Sequence, residues 1–354
     1  SVKSRFFGAE EDQTRDRHRL RLRVGAEWKA NDEWTVGAQL ATTMDGDPVS
    51  TNQTLTDSFS KKDIWVDKAY FDYHPEAWKG FKLIGGKMGN PFYSTSSLVW
   101  DGDLTPEGLA ATYATESGPW AWGVNTGWFQ IEERSRDEDS QLYGLQGLAT
   151  YKFMEGDASL TAGLSYYDFI DTEDYPTFVS ASNNFGNSLS LAILNGLGVG
   201  YYADDYNLVN AFVEAAFPLG SLPCAVYADY VVNTSASDRY FDREDGDTGW
   251  AAGLVLGKCS DPGSWSLKYE YRDVERDAVV GAFSDSDFGG GGTNSHGHIV
   301  GAEYGLFKNV KLAATYFNVE NEGSQWLRFM PTYGGSQKYE ANYQRLQLDV
   351  NVKF

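Results

Sequence analysis

The last eleven residues constrain this chain most. Gln344 to Phe354 read Gln-Arg-Leu-Gln-Leu-Asp-Val-Asn-Val-Lys-Phe. Successive side chains of a strand point to opposite faces. Leu346, Leu348, Val350, Val352 and Phe354 therefore form an apolar face, and Arg345, Gln347, Asp349, Asn351 and Lys353 a polar one. The pattern recurs upstream. Trp34, Val36, Ala38 and Leu40 share one face, and Trp265, Leu267, Tyr269 and Tyr271 stand opposite Lys268, Glu270 and Arg272. Val310, Leu312, Ala314 and Tyr316 alternate in the same way with Lys311 and Thr315. Each segment is about the ~9–11 residues that cross a bilayer at a tilt. A soluble sandwich or propeller also alternates, so the loops must decide.

No stretch reads as a membrane-spanning helix. The best apolar run, residues 189–200, is broken by Asn195 and several glycines and is too short for a bilayer core. Mean hydropathy is -0.44 although 42% of residues are hydrophobic. A membrane barrel has this profile because only every second residue meets lipid.

Short and long connections alternate along the chain. Short turns fall near residues 30–33, 75–80, 116–119, 154–157, 218–222, 260–264 and 305–309. Long polar segments lie near 10–16, 45–62, 90–105, 132–140, 171–205, 234–247, 276–296 and 320–340. Seven turns and eight loops join sixteen strands, with short connections on one rim and long ones on the other. The expectation is an all-β protein: a single transmembrane antiparallel β-barrel spanning 1–354.

Several segments carry a resemblance. Arg17-His-Arg-Leu-Arg-Leu-Arg-Val-Gly, Asp67-Lys-Ala-Tyr-Phe-Asp-Tyr, Gly85-Gly-Lys-Met-Gly-Asn-Pro-Phe and Asp103-Leu-Thr-Pro-Glu-Gly look like the Putative porin families of Gram-negative bacteria, and the strand closing on Phe354 resembles the C-terminal strand of outer-membrane barrels. The resemblance covers essentially the whole chain. It implies a sixteen-stranded pore in the outer membrane with short periplasmic turns and long extracellular loops. It also implies a homotrimer, a third loop folded into the lumen, and a terminal Phe354 read as an assembly signal.

Charge is unevenly placed. The formal net charge is -21, and the eight long segments hold 30 acidic and 10 basic residues. An acidic mouth gathers cations. It could bridge to lipopolysaccharide through divalent cations, the one bound species this composition suggests. Asp242, Glu244, Asp245 and Asp247 resemble a calcium loop in composition but lack the spacing and the distal Glu.

The wall has the opposite sign. Arg17, Arg19, Arg21 and Arg23 alternate with Leu20, Leu22 and Val24. Arginine in lipid is expensive, so these four point inward, joined by Arg5 and by Arg345 of the last strand. Structural pairing with lumen carboxylates such as Glu27 and Asp349 is the competing reading. The third long segment, 90–105, mixes apolar residues with Asp101 and Asp103 and is expected to pack inside the barrel as the constriction. Loop 171–205, with its apolar stretch 189–199, is the other candidate. Cys224 and Cys259 flank neighbouring short turns, where one disulfide is feasible and two free thiols are the alternative.

No catalytic set and no nucleotide motif emerge, so neither an enzyme nor a nucleic-acid partner is expected. The expected function is passive diffusion of small polar solutes and ions. Two alternatives stay open: an anion or phosphate channel using the arginine row, and a structural barrel sheathing another protein.

Overall fold

The computed structural model describes residues 2–6, 9–179, 183–190, 200–236, 246–322 and 340–354, with side chains from residue 14 onward and, in the last segment, from residue 342. The strands are β1 (Val2–Phe6), β2 (Ala9–Gln13), β3 (Arg19–Leu20), β4 (Arg23–Lys29), β5 (Trp34–Thr42), β6 (Gln53–Thr54), β7 (Ile64–Tyr73), β8 (Phe81–Lys87), β9 (Glu107–Ser117) and β10 (Trp120–Glu132). They continue with β11 (Ser140–Phe153), β12 (Ala158–Ile170), β13 (Tyr206–Leu219), β14 (Leu222–Asn233), β15 (Thr248–Gly257), β16 (Trp265–Val274), β17 (Ser295–Phe307), β18 (Val310–Glu322) and β19 (Glu340–Val352).

Seventeen of these form one antiparallel sheet. Pairing runs without a crossover from β4 to β5, β7, β8 and onward to β19. β1 then pairs with β19 through Val2 and Lys3, and β2 pairs with β1. The sequence predicted sixteen strands. The extra one arises because β1 and β2 are two strands paired antiparallel with each other, where a single strand followed by a loop at 10–16 was expected. The two-stranded β3–β6 ladder stands apart from the main sheet. It extends β4 beyond Arg23 and ties that extension to the 45–62 loop.

The outward residues follow from period two. Trp34, Val36, Leu40, Leu145, Leu164, Leu267, Tyr269 and Leu312 are all exposed, and Leu348 and Phe354 are 72% and 94% exposed. Such a belt is stable only against hydrocarbon. No helix among the described residues is long and apolar enough to cross a membrane.

The inner face divides in two. Toward the short turns it is polar, with Gln146, Ser165, Asn210, Asp229 and Glu270. Toward the long loops it is apolar, with Phe129, Leu142, Phe169, Leu208, Val231 and Val274. That apolar half is covered by Phe92, Leu98, Val99 and Trp100 from the 88–106 connection, Phe178 and Tyr202 from 171–205, and Ala278, Val279, Val280 and Ala282 from 275–294. The Phe92 and Trp100 rings lie 4.9 and 5.0 Å from that of Tyr167, edge to face. Each such pair adds about 0.5–1.5 kcal/mol beyond its buried area. The interior thus holds a hydrophobic core made by its own loops.

Candidate functional site

The three inward loops are locked together by polar contacts. The Asn187 amide donates to the carbonyls of Arg276 and Val279 at 2.7 and 2.8 Å and accepts from the Gly281 N–H at 2.8 Å. Tyr206 and Ser188 donate to Asp277. The glycine run 289–292 has φ between 62° and 101°, and a Cβ on Gly292 would lie 2.2 Å from the Phe185 carbonyl. Only glycine accepts both conditions, which explains the run.

The 88–106 loop crosses the interior. At its start Tyr93 donates to Glu214 on β13 (3.1 Å), and Ser96 donates to Asp229 on β14 (2.7 Å). In its middle the Ser97 carbonyl accepts from Arg272 on β16 (3.3 Å). At its end Asp103 meets Arg21 and Arg23 at 2.9 and 2.6 Å. Arg272 is buried, bonded to Glu270 (Nε, 3.0 Å) and Asp285 (2.9 Å), with its guanidinium 4.9 Å from the Phe288 ring centre. One arginine therefore holds two loops to the wall.

The structure gathers most of the sequence-predicted wall. Arg345 lies 2.7 Å from Asp287, and Arg19 lies 3.9 Å from the same oxygen. β19 and the segment before β4 thus approach each other across one carboxylate, as a curled sheet requires. Burial and the nearby Arg345 and Arg15 hold the Arg17 guanidinium below its ordinary pKa. Arg5 lies on β1, paired with Glu10 in the backbone register, and its side chain is outside the described residues. Four arginines, Arg19, Arg21, Arg23 and Arg345, face two aspartates, Asp103 and Asp287.

The structure changes one sequence expectation, decides between two alternatives left open for the cysteines, and adds one residue. Asp101 does not face the arginines. Its carboxylate accepts the Asp103 and Ser286 N–H groups at 2.7 and 2.9 Å, while its own N–H donates to the Phe283 carbonyl. Burial pushes its pKa up to about 7 against those two donors. It is a rivet between loops. Cys224 and Cys259 are both free thiols. Register places Cys224 opposite Leu256, so Cys259 lies beyond the end of the ladder. Asp287, which clamps the basic wall, was not foreseen. The signal was present in Phe169, Leu208, Val231 and Val274, apolar inward residues at the loop ends of their strands. Such a lumen face needs a cover, and part of that cover comes from 275–294.

Asp242, Glu244 and Asp245 lie outside the described residues, as does 191–199 of the fifth loop; the Asp247 carbonyl accepts the Asn233 N–H. Among the described residues no group of three or more His, Cys, Asp or Glu could hold a metal ion.

A one-layer antiparallel sheet, apolar outside, with charged groups and inward loops inside, defines a transmembrane β-barrel of the outer-membrane channel class. A family model described as Putative porin matches residues 6–190 and 223–354, and the chain belongs to that family. It is accordingly a bacterial outer-membrane protein with its short turns periplasmic and its long loops extracellular. No curated protein matches the chain. Solved structures similar to it include OmpF of Salmonella typhi in complex with daunomycin, at 13% identity over 97% of this chain and 94% of that one, TM-score 0.48. The outer-membrane channel DcaP of Acinetobacter baumannii is 13% identical over 93% and 84%, TM-score 0.43. A triple mutant of Rhodopseudomonas blastica porin is 14% identical over 95% and 90%, TM-score 0.43.

Proposed function

We propose that the chain is a passive diffusion channel for small hydrophilic solutes and ions. The observation that carries this is the placement of Arg21 and Arg23, 41% and 34% exposed, against Asp103 at the end of the inward loop. Partly wet, opposed charges on a wall and a loop make a transverse field, which favours polar solutes over apolar ones. The three loops fill the lumen beside β11–β16, so the passage runs along the arginine wall.

A second reading is favoured by one count. Four arginines against two aspartates leave an excess of positive charge at the narrow zone, which favours anions once they pass the acidic mouth. A sheath for another protein is disfavoured, because the chain's own loops occupy the space a partner would need. We further infer a homotrimer in a bilayer of lipid and lipopolysaccharide, the latter bridged by divalent cations at the acidic loops.

Planar-bilayer recording tests the reading. Stepwise ohmic conductance in KCl is the expected result, and its reversal potential in a salt gradient separates the two selectivities. A folded barrel without conductance would overturn the channel.

A further inference from the structure

We propose that a cavity against the inward 88–106 loop binds a small hydroxylated monocarboxylate, a sugar acid, on its way through the pore. The proposal deepens the channel reading and rests on it.

The cavity measures about 370 Å³. That is the low end of the ~300–1,000 Å³ of ligand pockets and suits a six-carbon solute. Two ammonium groups border it, Lys68 from β7 and Lys268 from β16. Lys268 is bonded to Glu270 at 2.9 Å. Lys68 makes no ion pair among the described residues, and a Cβ added to Gly89 would lie 3.8 Å from its Nζ. An ammonium has three donors and no acceptor, so an unpaired one beside a polar cavity selects an anion.

The rest of the lining matches a polyol. Ser94 and Ser97 present hydroxyls, whereas the neighbouring Ser96 and Thr95 hydroxyls are committed to Asp229. Phe92 and Trp100 also border the cavity, but their rings are buried against Tyr167. The uncommitted hydroxyls therefore carry the match to the hydroxyl groups of a sugar chain. Asp101 is also in the lining, its carboxylate held by the Asp103 and Ser286 N–H groups. Lys268 is already paired with Glu270, so among the described residues the cavity offers one unpaired ammonium, which matches a single carboxylate better than a dianionic phosphate.

Sodium gluconate is the probe and sorbitol, its uncharged counterpart, the control. In single-channel KCl recordings gluconate should interrupt the current at concentrations where sorbitol does not. Lys68→Gln should raise the half-blocking concentration about tenfold, the loss of one charge-assisted contact, and Lys68→Arg should restore most of it. Gluconate block that is absent, matched by sorbitol or unchanged in Lys68→Gln would overturn the site. Block lost only in Arg21→Gln would place the anion at the arginine wall and also overturn it. Titration calorimetry of gluconate into the detergent-solubilised barrel decides the site even if the barrel passes no current. A heat signal lost in Lys68→Gln supports it, and no signal in the parent protein overturns it.

Discussion

Arg345 on the last strand and Asp287 on the loop before β17 are joined at 2.7 Å, and Arg19, more than three hundred residues upstream of Arg345, reaches the same carboxylate oxygen. Two guanidiniums share one anion, so neither is neutralised. The like charges stay close because Asp287 is fixed by its loop, where its N–H donates to Asp285. The same arrangement recurs at Asp103 with Arg21 and Arg23.

The two loop aspartates should therefore separate in function. Asp103→Asn frees Arg21 and Arg23 and should shift the reversal potential toward anions. A unit charge at 4 Å is worth about 1 kcal/mol in water, so a several-fold change in permeability ratio is expected, shrinking at high salt. Asp101→Asn should change selectivity much less, because its carboxylate faces backbone N–H groups. Arg19→Glu with Arg21→Glu should shift selectivity toward cations. Equal selectivity changes in Asp101→Asn and Asp103→Asn would contradict the assignment.

Asp101 should also impose a pH dependence on stability. Its pKa rises from 3.8 to about 7 on folding because burial disfavours the charged form. The folded state then holds the proton more tightly than the unfolded state. The contribution is full below about pH 4 and is lost as pH rises toward 7, with a slope of at most about 1.4 kcal/mol per pH unit. Asp101→Asn should flatten that part of the profile when thermal unfolding in detergent is followed from pH 4 to 8. An unchanged slope would show that the group does not titrate there.

Arg272→Met removes the cation between Glu270 and Asp285. Breaking a buried pair costs about 3–5 kcal/mol because a charge is left uncompensated. The melting temperature should fall, and single-channel current should become larger and noisier as the 88–106 and 275–294 loops lose their shared anchor. Asp285→Asn combined with Arg272→Met should recover part of the stability, because Glu270 keeps Lys268 at 2.9 Å whereas Asp285 loses its cation. A quiet channel of unchanged conductance would mean that the loops hold without it.

Deleting Phe354 should reduce assembly more than conductance. The side chain is 94% exposed at the end of the chain, so little packing is lost. The yield of heat-modifiable barrel should drop severalfold in cells, while the molecules that do fold conduct normally. Normal yield would remove the residue's role as an assembly signal.

Much of the wall was legible in the sequence. The alternation in Trp34–Leu40, Trp265–Arg272 and Leu346–Phe354 fixes which side chains meet lipid, because strand period is a local property. Chain order carried the seven short turns, because antiparallel neighbours are consecutive. The cost of arginine in lipid turned Arg19, Arg21 and Arg23 inward without any knowledge of their partners. What the sequence by itself determined was therefore the barrel class, the lipid face and the basic wall. Only the tertiary structure decided that Asp287 and not Asp101 completes the clamp, that Arg272 pins two loops, and that β1 pairs with β2. These depend on loop trajectories and contacts across the lumen. Such contacts are set by the fit of Phe92, Trp100 and Val279 against the inner wall, a volume that no residue spacing along the chain encodes.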